Sequence, residues 1–192
     1  MKQSNQSLKK TQERLNNLKD KVNYKVMFFD EGRFGLRSTT MRIWGEKGKV
    51  TTVKVMQGFK NFYAYSAVCP FDGENFSLLL PGVNTEYMSI YLEQLSISFP
   101  ETKILLIMDQ AGWHKSRELK AFVNIEIIYL PAYSPELNPV EKLWEWIKKE
   151  CSHNFIYPDL EDLGKSVCDE YQKLSDDDFK RLCNCNYLSL FI

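Results

Sequence analysis

The spacing of apolar residues changes once along this chain, at Pro81-Gly82, and that change restricts the fold more than any other feature. Before it, short apolar runs (Val26 to Asp30, Met41 to Trp44, Val50 to Met56, Phe62 to Val68 and Phe76 to Leu80) are separated by turns containing Gly32, Gly45, Gly48, Gly58 and Gly73. Strand-length runs joined by glycine turns predict an antiparallel meander. After it, Tyr87, Ile90, Tyr91, Leu95 and Phe99 recur at helical spacing. They are followed by a strand over Lys103 to Asp109, a helix near Ser116 to Phe122, and a strand over Ile125 to Leu130. An antiparallel start feeding into parallel strand-helix units predicts a mixed sheet flanked by helices, an α/β architecture.

The same texture sets the domain limits. Up to residue 23 the chain is polar, with Leu8, Thr11, Leu15, Leu18 and Val22 at alternating spacings of three and four. This stripe predicts a basic amphipathic linker helix over 1–23, with one globular domain over 24–192. Residues 1–25 hold seven Lys/Arg against two Asp/Glu, whereas 140–192 hold seven against eleven, so the domain should close on acidic helices. The longest aliphatic stretch, Ile104 to Met108, is far short of the ~20 residues that cross a bilayer, and the start lacks a signal-peptide apolar region. A cytoplasmic protein without a membrane partner is expected. Five scattered cysteines fit reduced thiols, and Cys151-Ser-His153 and Cys183-Asn-Cys185 have spacers too short for an ordinary zinc site.

Three acidic residues stand out by position. Val26-Met-Phe-Phe-Asp30 and Ile104-Leu-Leu-Ile-Met-Asp109 each end an apolar run in a carboxylate, at the edge where α/β sheets bind ligands. An aspartate there is more often a turn residue or a helix cap. The third, Glu141, follows a loop stiffened by Pro131, Pro135 and Pro139. Asn138 suits an N-cap with Pro139 at the first helical position, so Glu141 has an equally simple reading as the far half of a capping box. Against that reading, a proline-stiffened entry aims a helix start more tightly than a cap requires.

The segments FFDEGRFGL, LLIMDQAGWHKS and IIYLPAYSPELNPVEKLWEWIK occur in that order, with a basic region between the first two. Together they resemble the catalytic domain of DDE transposases of the mariner superfamily, particularly its bacterial insertion-sequence branch, over about residues 24 to 151. The resemblance implies a ribonuclease H-like fold in which two aspartates and a glutamate bind divalent metal, here Asp30, Asp109 and Glu141, with two Mg²⁺ or Mn²⁺ ions expected. Three hard carboxylates suit such ions, and a metal pair can serve both the attacking and the leaving oxygen of a phosphodiester. Gln110 and His114 of the second segment become accessory candidates, His114 for contacting phosphate or for ordering that segment. Glu31 should point away from Asp30 on a strand and is accessory at most. Trp113, Trp144 and Trp146 are candidates for stacking on bases, Trp144 being better placed for the core.

The family's members carry helix-turn-helix modules ahead of this domain, so the chain is expected to act as the second half of a transposase. Its expected partners are DNA, further copies of itself as a homodimer or larger assembly on DNA, and a separate helix-turn-helix half. The competing reading is a non-catalytic DNA-binding or regulatory remnant. Residues 32–60 carry seven Lys/Arg against one Glu, which nominates Arg33, Arg37, Arg42, Lys47 and Lys49 as phosphate contacts; the simpler reading is a solvated hairpin. Neutralising Arg33, Arg37 and Arg42 together is expected to weaken DNA binding and to flatten its logarithmic salt dependence by about 0.9 for each phosphate no longer neutralised. A salt titration with an unchanged slope would return these residues to the solvated hairpin.

Overall fold

The computed structural model describes residues 24–36, 58, 60–132, 134–152 and 155–184. The expected linker helix, the strands at 41–44 and 50–56, and Arg37, Arg42, Lys47 and Lys49 lie outside the described residues.

Five strands form one mixed sheet: β1 (Tyr24–Gly35), β2 (Asn61–Val68), β3 (Asn75–Leu80), β4 (Lys103–Met108) and β5 (Ile125–Tyr129). Their order is β3-β2-β1-β4-β5. β1 and β2 pair antiparallel, as do β2 and β3, while β1 with β4 and β4 with β5 are parallel. The antiparallel meander and the alternating half therefore meet at β1. Helix α1 (Thr85–Ser98) supplies the crossover, its start capped by the Asn84 side chain accepting from Tyr87 N at 2.7 Å. α2 (Val140–Cys151), α3 (Leu160–Lys173) and α4 (Asp176–Leu182) follow the sheet.

Period-two alternation divides the core between the two faces of the sheet. Val26, Phe28 and Phe34 of β1, with Leu105 and Ile107 of β4, pack against Val140, Leu143, Trp144 and Ile147 of α2 and against Leu163, Val167 and Phe179 beyond it. Met27 and Phe29 of β1, with Ile104, Leu106 and Met108 of β4, pack against Met88, Tyr91, Leu92 and Leu95 of α1. Covering both faces lets β1 and β4 be apolar at successive positions without exposing either side.

Two expectations need correcting. No helix forms near Ser116 to Phe122; the segment is a series of turns after a single 3₁₀ turn at Gly112–His114. Its backbone donors are taken elsewhere: Glu118 N bonds the Ser116 hydroxyl at 3.2 Å and Lys120 N bonds the Ser89 hydroxyl of α1 at 3.3 Å, so no i→i−4 ladder can propagate. In addition, Asp30 does not end β1, which runs on to Gly35 along β2. What ends near Asp30 is the parallel pairing with β4, whose last rung is Phe28 with Ile107.

Where β1 runs past Asp30, Gly32 leaves room for the Trp144 ring. A Cβ there would lie 2.7 Å from Cδ2 and 2.8 Å from Cε3 of Trp144, a buried ring 2% exposed. Gly32→Ala is expected to destabilise the fold by about 1–3 kcal/mol through overpacking, measured as a lower urea midpoint with an unchanged m-value. An unchanged midpoint would mean that Trp144 is free to shift.

Candidate active site

The register of the sheet brings the two aspartates together. Phe28 and Ile107 are partners on the α2 face, so two residues further on, with the same facing, come Asp30 and Asp109. Glu31 falls on the opposite face, as its position in the strand requires. β4 stops at Met108, and Leu130 N bonds Met108 O at 2.7 Å as both parallel strands end, which opens a notch beside β1.

The third acid arrives on α2, and Asn138 aims it. Asn138 is extended (φ −104°, ψ 105°), Pro139 is already helical (φ −65°, ψ −19°), and Asn138 Oδ1 accepts from Val140 N at 3.2 Å. Its amide nitrogen donates to Phe29 O at 2.8 Å, a buried bond from the helix entrance to the strand position preceding Asp30. The Asn138 N–H itself donates to Pro135 O at 2.8 Å. The reciprocal bond that a capping box would ask of Glu141 is thus already supplied by a carbonyl.

Asp30, Asp109, Gln110, Lys115, Asn138 and Glu141 line one cleft of about 490 Å³, walled on the far side by the proline loop. Trp144 Nε1 donates to Asp30 Oδ2 at 2.9 Å, and Trp144 sits three residues after Glu141, so one helix face both braces one acid and carries the other. The Asp30 carboxyl is pushed well above the usual range by burial first, then by the negative charges of Glu141, Glu31 and Asp109, with the Trp144 bond opposing. Glu141, on the exposed side of α2, is also raised, chiefly by partial burial, with Glu145 and Asp109 adding and Lys148 opposing.

Asp109 behaves oppositely. Its Oδ1 accepts from Ala111 N at 3.0 Å and lies 2.7 Å from His114 Nδ1, and its carboxyl is held below the usual range chiefly by His114. The His114 contact is a close ion pair rather than an aligned hydrogen bond, since Nδ1 has no well-directed partner. His114 Nε2 meets Glu31 Oε1 at 2.8 Å, and the same oxygen accepts from Trp113 Nε1 at 3.0 Å. Burial alone would lower the imidazole value, but the carboxylates of Asp109 and Glu31 outweigh it and raise it to about 9.

Of the residues singled out in the sequence, Asp30, Asp109, Glu141 and Gln110 share the cleft. His114 is 1% exposed behind it, a position suited to ordering the second segment and with no surface for a phosphate. Arg33 is exposed on β1 and does not line the cleft. Trp144 belongs to the core, while Trp113 is committed to Glu31. Lys115, not singled out in the sequence, also lines the cleft, and its ammonium donates to Gln110 Oε1 at 2.7 Å. The only signal for Lys115 was its place next to His114 in LLIMDQAGWHKS.

The family model described as DDE superfamily endonuclease matches residues 25–164. An uncharacterised protein of Sinorhizobium fredii (strain NBRC 101917 / NGR234), y4pE/y4sA, is 39% identical over 119 residues, 62% of this chain and 88% of that protein. The uncharacterised 39 kDa protein of insertion element IS630 from Shigella sonnei is 26% identical over 150 residues, 74% of this chain. Among solved structures, the Mos1 transposase paired-end complex with left transposon end superposes with a TM-score of 0.69 at 19% identity over 91% of this chain. The Mos1 strand transfer complex gives 0.67 at 19% identity, also over 91%. At such identities the likeness is one of fold, and that fold is ribonuclease H-like, as expected. The chain spans 43% of the IS630 protein and 56% of the Mos1 chain.

The raised imidazole makes stability depend on pH. His114 has a value of about 9 in the fold against an ordinary 6.5, so its contribution is complete below about pH 6.5 and is lost as pH rises through 9. Urea unfolding of the metal-free chain at pH 6.5 and 9.5 is expected to show a loss on the order of 2 kcal/mol that His114→Gln lacks. Equal losses in both proteins would show that His114 is neutral in the fold.

Proposed function

The chain belongs to the DDE superfamily endonuclease family, and from that premise we propose that it is a transposase catalytic domain that cuts DNA at transposon ends and joins them to a target. One observation carries the reading: Asp30, Asp109 and Glu141, far apart in sequence, line a single cleft beyond the ends of β4 and β5.

The donor chemistry of this cleft fits divalent metal. Three carboxylates share it with repulsion left over, since burial and like charge already push Asp30 and Glu141 toward their protonated forms. Among the described residues no three acidic, His or Cys side chains are gathered as they stand to hold an ion. Glu141 is exposed and free to rotate inward, while Ala111 N and His114 hold Asp109 and Trp144 keeps Asp30 fixed. Asp30, Asp109 and Glu141 would hold Mg²⁺ or Mn²⁺, as a pair, and such ions supply activation of the attacking oxygen and neutralisation of charge at phosphorus and the leaving oxygen.

The chain's own residues would do the positioning. Asn138 and the proline loop hold Glu141 at the mouth of the cleft. Lys115, kept in the wall by Gln110, offers an ammonium to a phosphate oxygen, and Gln110 is itself tied to Leu130 O at 2.8 Å. With that role go DNA as substrate, assembly with further copies on DNA, and a cytoplasmic, nucleoid-associated location. Among the described residues no helix is long and apolar enough to cross a membrane.

Glu141→Gln tests the enzyme against the remnant. An amide keeps the shape, so stability should change by no more than about 1 kcal/mol, the scale of one charge near a helix start. Even an outer partner of a metal ligand is worth about 10–100-fold, so losing a ligand charge should reduce cleavage and joining of transposon-end DNA by about 100-fold or more. The comparison is made with the DNA-binding module present and with Mg²⁺ and Mn²⁺ each supplied. A variant as fast as the parent would make Glu141 a helix-start residue only.

A further inference from the structure

Asp109 has a positioning problem that Asp30 and Glu141 do not share. Asp30 is half-buried and pinned by Trp144, and Glu141 rides on a packed helix. Asp109 follows the last residue of β4, and its side chain is 57% exposed, so packing does not orient it. Its orientation rests on Ala111 N and His114 Nδ1, both contributed by the turn that follows.

That turn is anchored from the other face of the sheet. His114 Nε2 and Trp113 Nε1 both donate to one oxygen of Glu31, whose side chain is only 8% exposed, and Tyr129 OH donates to His114 O at 2.6 Å. Phe29 meets the His114 ring edge-on at 5.6 Å between ring centres. The imidazole is thus clamped between two carboxylates in otherwise apolar surroundings. Such a buried ionic arrangement is expensive to desolvate, and apolar side chains of similar volume would hold a turn equally well. What apolar residues would not do is set a charged group 2.7 Å from the Asp109 carboxylate.

We propose that Glu31 is a positioning residue: acting through His114, it fixes the Asp109 carboxylate for cation binding, so that neighbouring residues of β1 serve the cleft from opposite faces of the sheet. Asp30 enters the cleft directly, and Glu31 reaches it through His114. The inference rests on the reading of Asp109 as a metal ligand, and its test separates the two.

The measurement is Mn²⁺ affinity of the full 192-residue chain, followed by electron paramagnetic resonance of the free ion, with folding checked by circular dichroism. Glu31→Ala is expected to weaken binding by about 10–100-fold, as loss of an outer-shell partner does. Glu31→Gln, which keeps an acceptor for Trp113 but not the charge beside His114, should fall between Glu31→Ala and the parent, and it serves if Glu31→Ala does not fold. On an Asp109→Ala background, Glu31→Ala should cost less than about twofold, because its route of action is gone. A merely structural Glu31 would weaken binding equally on both backgrounds, and that result, or undiminished affinity in a folded Glu31 variant, overturns the inference while sparing the metal reading. A parent that does not bind Mn²⁺, or an Asp109→Ala variant that binds as the parent does, overturns the reading of Asp109 and this inference with it.

Discussion

The parallel ladder between β1 and β4 stops at Phe28 and Ile107, and the candidate site follows from that stop. With β4 ending one residue later while β1 runs on along β2, the next same-facing pair, Asp30 and Asp109, is left beside a notch instead of inside a covered sheet. The stop also leaves Phe29 O to be satisfied by something other than β4, and the Asn138 amide takes it. A buried carbonyl without a partner would cost on the order of 1–3 kcal/mol, so this bond ties the entrance of α2 to the position preceding Asp30.

From that anchor α2 works on two levels. Its apolar face, Val140, Leu143, Trp144 and Ile147, completes one core. The same indole that fills the space above Gly32 sends its N–H to Asp30, so packing and orientation of the carboxylate are one feature. A side chain at Gly32 would disturb both. Glu141, one turn earlier on α2, is carried to the cleft by the fit of the helix to the sheet, its N–H bonded to Asn138 O at 3.2 Å.

The electrostatics divide along the sheet. On the α2 face, Asp30 and Glu141 are raised by burial and by neighbouring negative charges, a cluster in search of positive charge. On the α1 face, Glu31 is matched by His114, which also steadies Asp109. Within the cleft, then, Asp30 and Glu141 are pushed toward their protonated forms whereas Asp109 is matched by His114, as is Glu31 behind it.

The sequence by itself determined the mixed α/β architecture, because a single change of apolar period at Pro81-Gly82 separates meander from alternating units, and local periodicity is a property of neighbouring residues. It also singled out Asp30, Asp109 and Glu141, since apolar runs ending in acids and a proline-stiffened helix entrance are local patterns. The tertiary structure alone decided what depends on distant partners. The segment near Ser116 to Phe122 stays non-helical because Ser89, on another helix, takes the Lys120 backbone donor. Asp30 lies within a strand because β2 outlasts β4 as its neighbour. Glu31, read from the chain as pointing away and accessory at most, reaches Asp109 only because His114, 83 positions later, folds back against it. No local pattern encodes such a contact, because its two halves share no neighbourhood until the sheet register is set.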